Sequence, residues 1–189
     1  IFSLMLVVSM TSFLPLFESM DKIVTVGYGQ MRPLKSLQIA LLKAVMPPND
    51  HLIHGAEQEK NEWKRLKTEV NDAFHTAIES NVLDSRKIIL KDLRKQWIDT
   101  ARTGDMLFLE TPGILNRTAA DEMERFDGGI EQIVHQIRLQ IDVMESNISG
   151  EYMLIEQRKW HGIIISMGSI LLGMLLGVGG SVWLTRSRK

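Results

Sequence analysis

Histidine and carboxylate pairs are the residues of this chain that could bind a metal. The chain has five histidines and no cysteine, which excludes thiolate metal sites, disulfides and a thiol nucleophile. Three pairs have spacings that place both side chains on one helix face: His51 with His54, Asp72 with His75, and Glu131 with His135. A di-iron helical bundle needs a Glu-x-x-His sequence on each of two helices, and the chain contains none. We therefore interpret these residues as surface pairs and expect no metal and no cofactor.

Motifs of catalysis and nucleic-acid binding are missing from the sequence. It contains no glycine-rich phosphate loop, no nucleophile elbow and no acid pair in a catalytic context. Basic and acidic side chains are interleaved, with a formal net charge of −1, so nucleic acid is not an expected partner. We expect no enzymatic activity within this chain. Candidate contacts for an acidic ligand are Arg65, Arg86, Arg94, Arg102 and Arg117.

Apolar residues recur in steps of three and four along four stretches, which predicts four amphipathic helices. The first continues to Val45, and we expect Pro47-Pro48 to kink it and Gly55 to end it as a left-handed cap. The second and third extend over about 57–81 and 84–109. Their predicted core positions are Trp63, Leu66, Val70, Phe74, Ala77 or Ile78, and then Ile89 or Leu90, Leu93, Trp97, Ala101, Gly104 and Leu107 or Phe108.

The fourth helix starts near Asn116 and has the longest apolar seam. Asp84 is the predicted N-cap of the third helix, and Thr118 with Asp121 has the spacing of a capping box for the fourth. Gly128-Gly129 weakens this helix by ~1 kcal/mol per glycine relative to alanine, yet we expect it to continue because the seam keeps its phase. The seam consists of Ala119, Met123, Phe126, Ile130, Ile133, Ile137, Ile141, Met144, Ile148, Tyr152 and Ile155.

Two apolar stretches predict membrane helices. Residues 162–184 contain no charge and would cover ~34 Å as a helix, enough for a ~30 Å hydrocarbon core. The basic residues at 185–189 mark the cytoplasmic side and the start of a cytoplasmic linker. Residues 1–17 are also uncharged, and because the chain begins with Ile1 we interpret them as the end of a first membrane helix. A signal peptide is the alternative, but no charged segment or small-x-small cleavage site is visible.

The second predicted membrane helix has one face of small residues. Ser169, Gly173, Gly177 and Ser181 are four apart, which favours close helix packing in lipid. Trp160 and Trp183 bracket the span, as interfacial anchors do. We expect this face to pack against the first membrane helix or a second protomer.

These elements predict an all-α fold in which residues 18–161 form an antiparallel up-down-up-down four-helix bundle flanked by two transmembrane helices. The outer helices continue into the membrane helices and are longer than the inner hairpin. The membrane-near part is therefore a two-helix stalk with an uncovered apolar seam. A parallel homodimer would bury that seam.

This arrangement resembles the extracytoplasmic four-helix-bundle sensory region of bacterial transmembrane receptors, of the chemoreceptor and sensor histidine kinase type. The segment 50–56 is similar to the "aromatic-leucine-x-threonine-glycine-aspartate" end of the first helix in the helical extracellular sensory family, with His51 and His54 at the aromatic and threonine positions. The resemblance implies a ligand in the distal part of the bundle. Candidate ligand-binding residues are Asn49, Asp50, His51, His54 and Arg117.

The resemblance implies the input module of a histidine kinase, chemoreceptor or diguanylate cyclase. Such a module would lie in the bacterial inner membrane, with the bundle in the periplasm or outside the cell. Expected partners are a second copy of the chain, membrane lipid and a small-molecule or protein ligand. The alternative is a membrane-anchored helical scaffold without signalling output.

Overall fold

The computed structural model describes residues 17, 20, 21, 23–111 and 117–186, with only the backbone at 28, 158, 162, 166, 169, 170, 172 and 175–186. All secondary structure in this part of the chain is helical, which confirms the predicted all-α class. The elements are a π-helical segment Thr25–Met31, α1 Arg32–Ala44, α2 Met46–His54, α3 Glu57–Ser80, α4 Asp84–Leu107 and α5 Arg117–Arg186.

The structure falls into two compact units. The larger one, Thr25–Ser146, is called the helical unit below. The smaller one contains the described residues before Thr25 and after Ser146. The buried hydrophobic residues run from Leu34 to Met144. The core therefore lies within the helical unit.

The first predicted helix is divided into three segments. A π-helical segment leads into α1, and the chain turns at Val45 before α2. Pro47 and Pro48 lie in the first turn of α2, where a missing N–H breaks no helical hydrogen bond. Gly55 ends α2 with φ 69°, and its N–H donates to the His51 carbonyl at 2.9 Å. The predicted left-handed cap is confirmed, and the helix is interrupted at Val45, two residues before the proline pair, where a kink was predicted.

Two predicted N-caps are wrong. Leu83 has the extended backbone of the N-cap of α4, and its carbonyl accepts the N–H groups of Arg86 and Lys87, both at 3.1 Å. Asp84 is the first helical residue, where its carboxylate still lies at the positive end of the helix dipole. Thr118 is already inside α5, which excludes the capping box with Asp121. Residues 110–111, after α4, are non-helical.

Neighbouring helices of the helical unit are antiparallel. Lys35 near the start of α1 donates to Glu145 at 2.7 Å, near the end of the unit's part of α5. Trp63 near the start of α3 donates to Asp105 near the end of α4, also at 2.7 Å. These contacts pair the beginning of one helix with the end of another, as in a bundle with short joins.

The predicted seams form the core. Every predicted core position of α3 is buried, including both Ala77 and Ile78. Where the α4 pattern left two alternatives, Leu90 and Leu107 are buried, whereas Ile89 is exposed and Phe108 is half-buried. Seam residues of α5 that are buried are Ala119, Phe126, Ile130, Ile133, Ile137, Ile141 and Met144, together with Val134 beside them.

The glycine pair does not interrupt α5, which is helical through Gly128 and Gly129 as predicted. A Cβ at Gly128 would meet open space, whereas one at Gly129 would lie 2.6 Å from Thr100 Oγ1. Gly129 therefore lets α4 and α5 approach closely at this level. Only one of the two glycines has a packing role.

Membrane helices remain a prediction. Among the described residues, none of the helices combines the length and hydropathy needed to cross a bilayer. The first predicted span, residues 1–17, lies almost wholly outside the described residues. For much of the second span, only the backbone is described.

Gly104→Ala should destabilise the helical unit, with Gly128→Ala as the matched control. A Cβ at Gly104 would lie 2.6 Å from Trp63 Cζ2 and 2.9 Å from Phe126 Cε2, and such overpacking costs about 1–3 kcal/mol. At Gly128 alanine meets no atom and should stabilise the helix by about 0.5–1 kcal/mol. Denaturant unfolding of the full chain, followed by circular dichroism, measures both. Equal stability of the two variants would contradict the packing described for Trp63.

Candidate functional site

Aromatic rings from three parts of the helical unit meet where α2 ends and α3 begins. Trp63 lies edge-on to Trp97 of α4 at 6.0 Å between ring centroids and edge-on to Phe126 of α5 at 5.6 Å. Phe108, directly after α4, stacks on Trp63 at 6.2 Å. Such pairs stabilise beyond their buried area by about 0.5–1.5 kcal/mol each. Through Phe108, this aromatic cluster packs against His51 near the end of α2.

His51 of α2 packs against the Phe108 ring of this cluster. Its ring centroid is 4.7 Å from that of Phe108, with a tilt of 37° between the planes. The residue is only 9% exposed, yet neither Nδ1 nor Nε2 has a hydrogen-bond partner. Burying a polar group without a partner costs roughly 1–3 kcal/mol. An imidazole in this state offers a donor and an acceptor to an incoming molecule.

Charged side chains surround the aromatic cluster. Asp105 accepts hydrogen bonds from Trp63 Nε1 at 2.7 Å and from Lys67 Nζ. The Lys67 ammonium also lies 5.3 Å from the centroid of the Trp63 ring, in a cation–π position. Glu122 of α5 accepts from Arg125 through Oε1 at 3.0 Å, while its buried Oε2 has no partner. These contacts orient the indole and leave one more polar atom unused.

The predicted ligand-binding residues differ in exposure. His51 alone is buried; Asn49 and His54 are exposed, and Asp50 is half-buried. Arg117, the first residue of α5, has an exposed side chain. The five residues therefore do not form a single buried pocket, and His51 is the one whose surroundings indicate a site.

The predicted membrane-packing residues can be placed only in part. Gly173 is helical and half-buried. The side chains at Ser169, Gly177 and Ser181 lie outside the described ones, although their backbone belongs to α5. The predicted packing face stays a prediction.

Candidate anion-binding arginines differ sharply in their surroundings. Arg65 donates to Glu62 and Glu69, and these hydrogen bonds raise the pKa of Arg65 while Arg65 lowers the pKa of Glu62. Arg102 pairs with Asp99 at 2.9 Å, and Arg94, like Arg117, is exposed. Arg86 is different because it is buried, at 8% exposure.

Chemically, the His51 site can bind but has no catalytic arrangement. Among the described residues, histidines, aspartates and glutamates do not cluster in a way that could hold a metal ion. A groove of ≈ 230 Å³ between α1 and α3 is lined by Arg32, Pro33, Ser36, Ala73 and Thr76. It lies toward the opposite end of α3, well away from His51 in sequence and along the helix.

Sequence analysis missed Phe108 as a neighbour of His51. Phe108 was one of two alternatives for a core position, and its distance from His51 along the chain hides the stacking. His51 itself was a candidate through the resemblance at segment 50–56.

Comparisons with known proteins do not identify a family or a function for this chain. The chain matches no protein-family model, no curated protein sequence and no solved structure at a significant level.

His51→Phe should stabilise the helical unit by about 1 kcal/mol, since it removes two buried unpartnered nitrogens and keeps a ring against Phe108. His54→Phe, on the exposed end of the same helix, should change the free energy of unfolding by less than about 0.5 kcal/mol. Denaturant unfolding of the full chain measures both. A loss of more than about 2 kcal/mol in both His51→Phe and His51→Leu would mean that the imidazole has a polar partner, because leucine is close to histidine in volume and does not overpack the site.

Proposed function

We propose that this chain is the signal-sensing input module of a bacterial transmembrane receptor, with a ligand-binding site at His51. The observation that carries the proposal is the buried imidazole with two unused nitrogens, held between α2 and the aromatic cluster. Polar groups kept unpaired inside a protein lower stability and are retained mainly where function needs them. A ligand that bonds to His51 would recover that free energy.

The position of His51 gives a route for the signal. A ligand bound there would contact the end of α2 and the ring of Phe108, which stacks on Trp63. Trp63 in turn lies against Phe126 of α5. Differential affinity for two packings of these rings would shift α5 by a small slide or rotation. The output domain that receives this motion is a histidine kinase, a chemotaxis signalling domain or a diguanylate cyclase.

The proposed module is a parallel homodimer anchored by two membrane helices. Support for the dimer comes from an exposed apolar stripe on α1 and the start of α2. Its residues Ile39, Leu42 and Met46 are 54%, 49% and 64% exposed. They follow one another in steps of three and four, the spacing of a helix-pairing face. Support for the membrane helices comes from the uncharged stretches 1–17 and 162–184 and from the basic residues within 185–189, after the second stretch. The proposed location is the inner membrane, with the helical unit outside the cytoplasm.

The alternative proposal is a membrane-anchored helical scaffold without signalling output. It explains the apolar stripe and the helical unit equally well. It gives no reason for an unpartnered histidine inside the core, which a scaffold could replace with an apolar residue at a gain in stability.

A chimera distinguishes the two proposals. The full chain is joined to the signalling half of a chemotaxis receptor, and kinase output is recorded with a panel of amino acids, organic acids, sugars and peptides. We expect at least one compound to change kinase output several-fold, corresponding to about 1–3 kcal/mol of coupling. His51→Phe should abolish that response, and His54→Phe should retain it. A correctly inserted chimera with one constant output for the whole panel would favour the scaffold.

Single cysteines test the dimer in a chain that has none of its own. Ile148, Tyr152 and Ile155 follow the α5 seam, whereas Gln157 is on the opposite side of the helix. Oxidation in membranes should cross-link protomers several-fold more at the seam positions than at Gln157. Equal cross-linking at all four positions, or none at any, would contradict a dimer paired along this seam.

A further inference from the structure

We propose that Arg86 anchors a second binding site, one for a small oxyanion such as a carboxylate or phosphate group, together with Gln30 and Asn81. The site lies where the turn between α3 and α4 meets the π-helical segment. This goes beyond the receptor function proposed above and does not depend on it.

Three buried polar side chains form the site. The Nη1 of Arg86 donates to Gln30 Oε1 at 3.0 Å and to Asn81 Oδ1 at 3.2 Å. Their exposed fractions are 8% for Arg86, 5% for Gln30 and 2% for Asn81. Asn81 is fixed in turn, because its Nδ2 donates to the Ala77 carbonyl at 2.7 Å. The cluster is therefore built into the core and is not a set of solvated surface groups.

The guanidinium has only neutral partners. Other arginines of the helical unit pair with carboxylates although their side chains are more than half exposed, namely Arg65 with Glu62, Arg102 with Asp99 and Arg125 with Glu122. None of the ion pairs between described residues includes Arg86. A buried charge without a countercharge is strongly destabilising. Burial accordingly lowers the pKa of Arg86.

One edge of the guanidinium is unused. Nη1 is occupied by the two amide oxygens, but the buried Nε has no hydrogen-bond partner. The Nε edge of an arginine binds a carboxylate or phosphate group side-on through parallel N–H donors. An oxyanion at this edge would satisfy Nε and supply the missing negative charge at once.

The neighbouring carboxylate does not fill this role. Asp84 is two residues before Arg86 in α4, which places it about 200° around the helix axis. The side chain of Asp84 is exposed. None of the ion pairs between described residues joins Asp84 to Arg86. The exposed residues Val82 and Leu83 in the turn are apolar, at 70% and 52% exposure. Among the described residues no carboxylate pairs with Arg86, and we infer that another molecule supplies the countercharge.

Thermal unfolding of the full chain in phosphatidylcholine nanodiscs tests the site. Inorganic phosphate and acetate are titrated separately at constant ionic strength with sodium chloride. For the wild type we expect a saturable rise in Tm, about 4 °C at ten times the dissociation constant. Arg86→Met should abolish the rise, whereas its anion-free Tm combines the removal of an unpaired buried charge with the loss of the donor to Gln30 and Asn81. Arg86→Lys should retain only part of it, since lysine lacks the fork.

Arg65→Met is the matched control, an exposed arginine already paired with two glutamates, and it should keep the full anion response. A second arm replaces part of the phosphatidylcholine with phosphatidylglycerol. A rise in Tm that appears only there and depends on Arg86 identifies a lipid phosphate as the source of the oxyanion. The proposal is overturned if Arg86→Met responds like the wild type, or if no arm gives a saturable response.

Discussion

The helical unit depends on the contacts that Trp63 makes with two other helices at once. Its ring lies against Trp97 and Phe126, and its Nε1 is bonded to Asp105. This is possible because Gly104 has no side chain, so that the indole occupies the space where a Cβ would be. The contacts fix the distance between α3, α4 and α5 together. The level and rotation of all three helices are thereby tied to one residue.

Much of the fold follows from local periodicity. Seams in steps of three and four identified the buried residues of α3 and of α5 as far as Met144, because a helix has only one face that can meet the core. Helix starts were harder to predict. Asp84 has a good capping side chain, but the backbone of Leu83 satisfies the first N–H groups of α4 instead. A cap depends on the backbone angles of one residue, which the pattern of side chains does not determine.

The buried polar groups could not be derived in the same way. Gln30 and Arg86 are 56 positions apart in sequence and come from different helices, so no repeat connects them. His51 was selected from a resemblance, and it continues the buried face of α1, since Leu41, Ala44, Pro48 and His51 are all buried and lie three or four residues apart. Arginine on a helix is usually solvated, and only the tertiary structure distinguishes Arg86 from Arg65. Sites of this kind violate the local pattern, and this is why they indicate function.

The exposure of the apolar seam changes along α5. Met144 is 1% exposed, whereas Tyr152, on the same seam, is 57% exposed. The sequence period does not change between them, and Ile148 and Ile155 on the same seam are half-buried, so the described part of the chain covers this apolar face less completely beyond Met144. An apolar seam that continues in phase is stable in water only if another surface buries it. The corresponding seam of a second copy has the same spacing by symmetry, which makes a parallel pair of α5 helices the simplest cover for it.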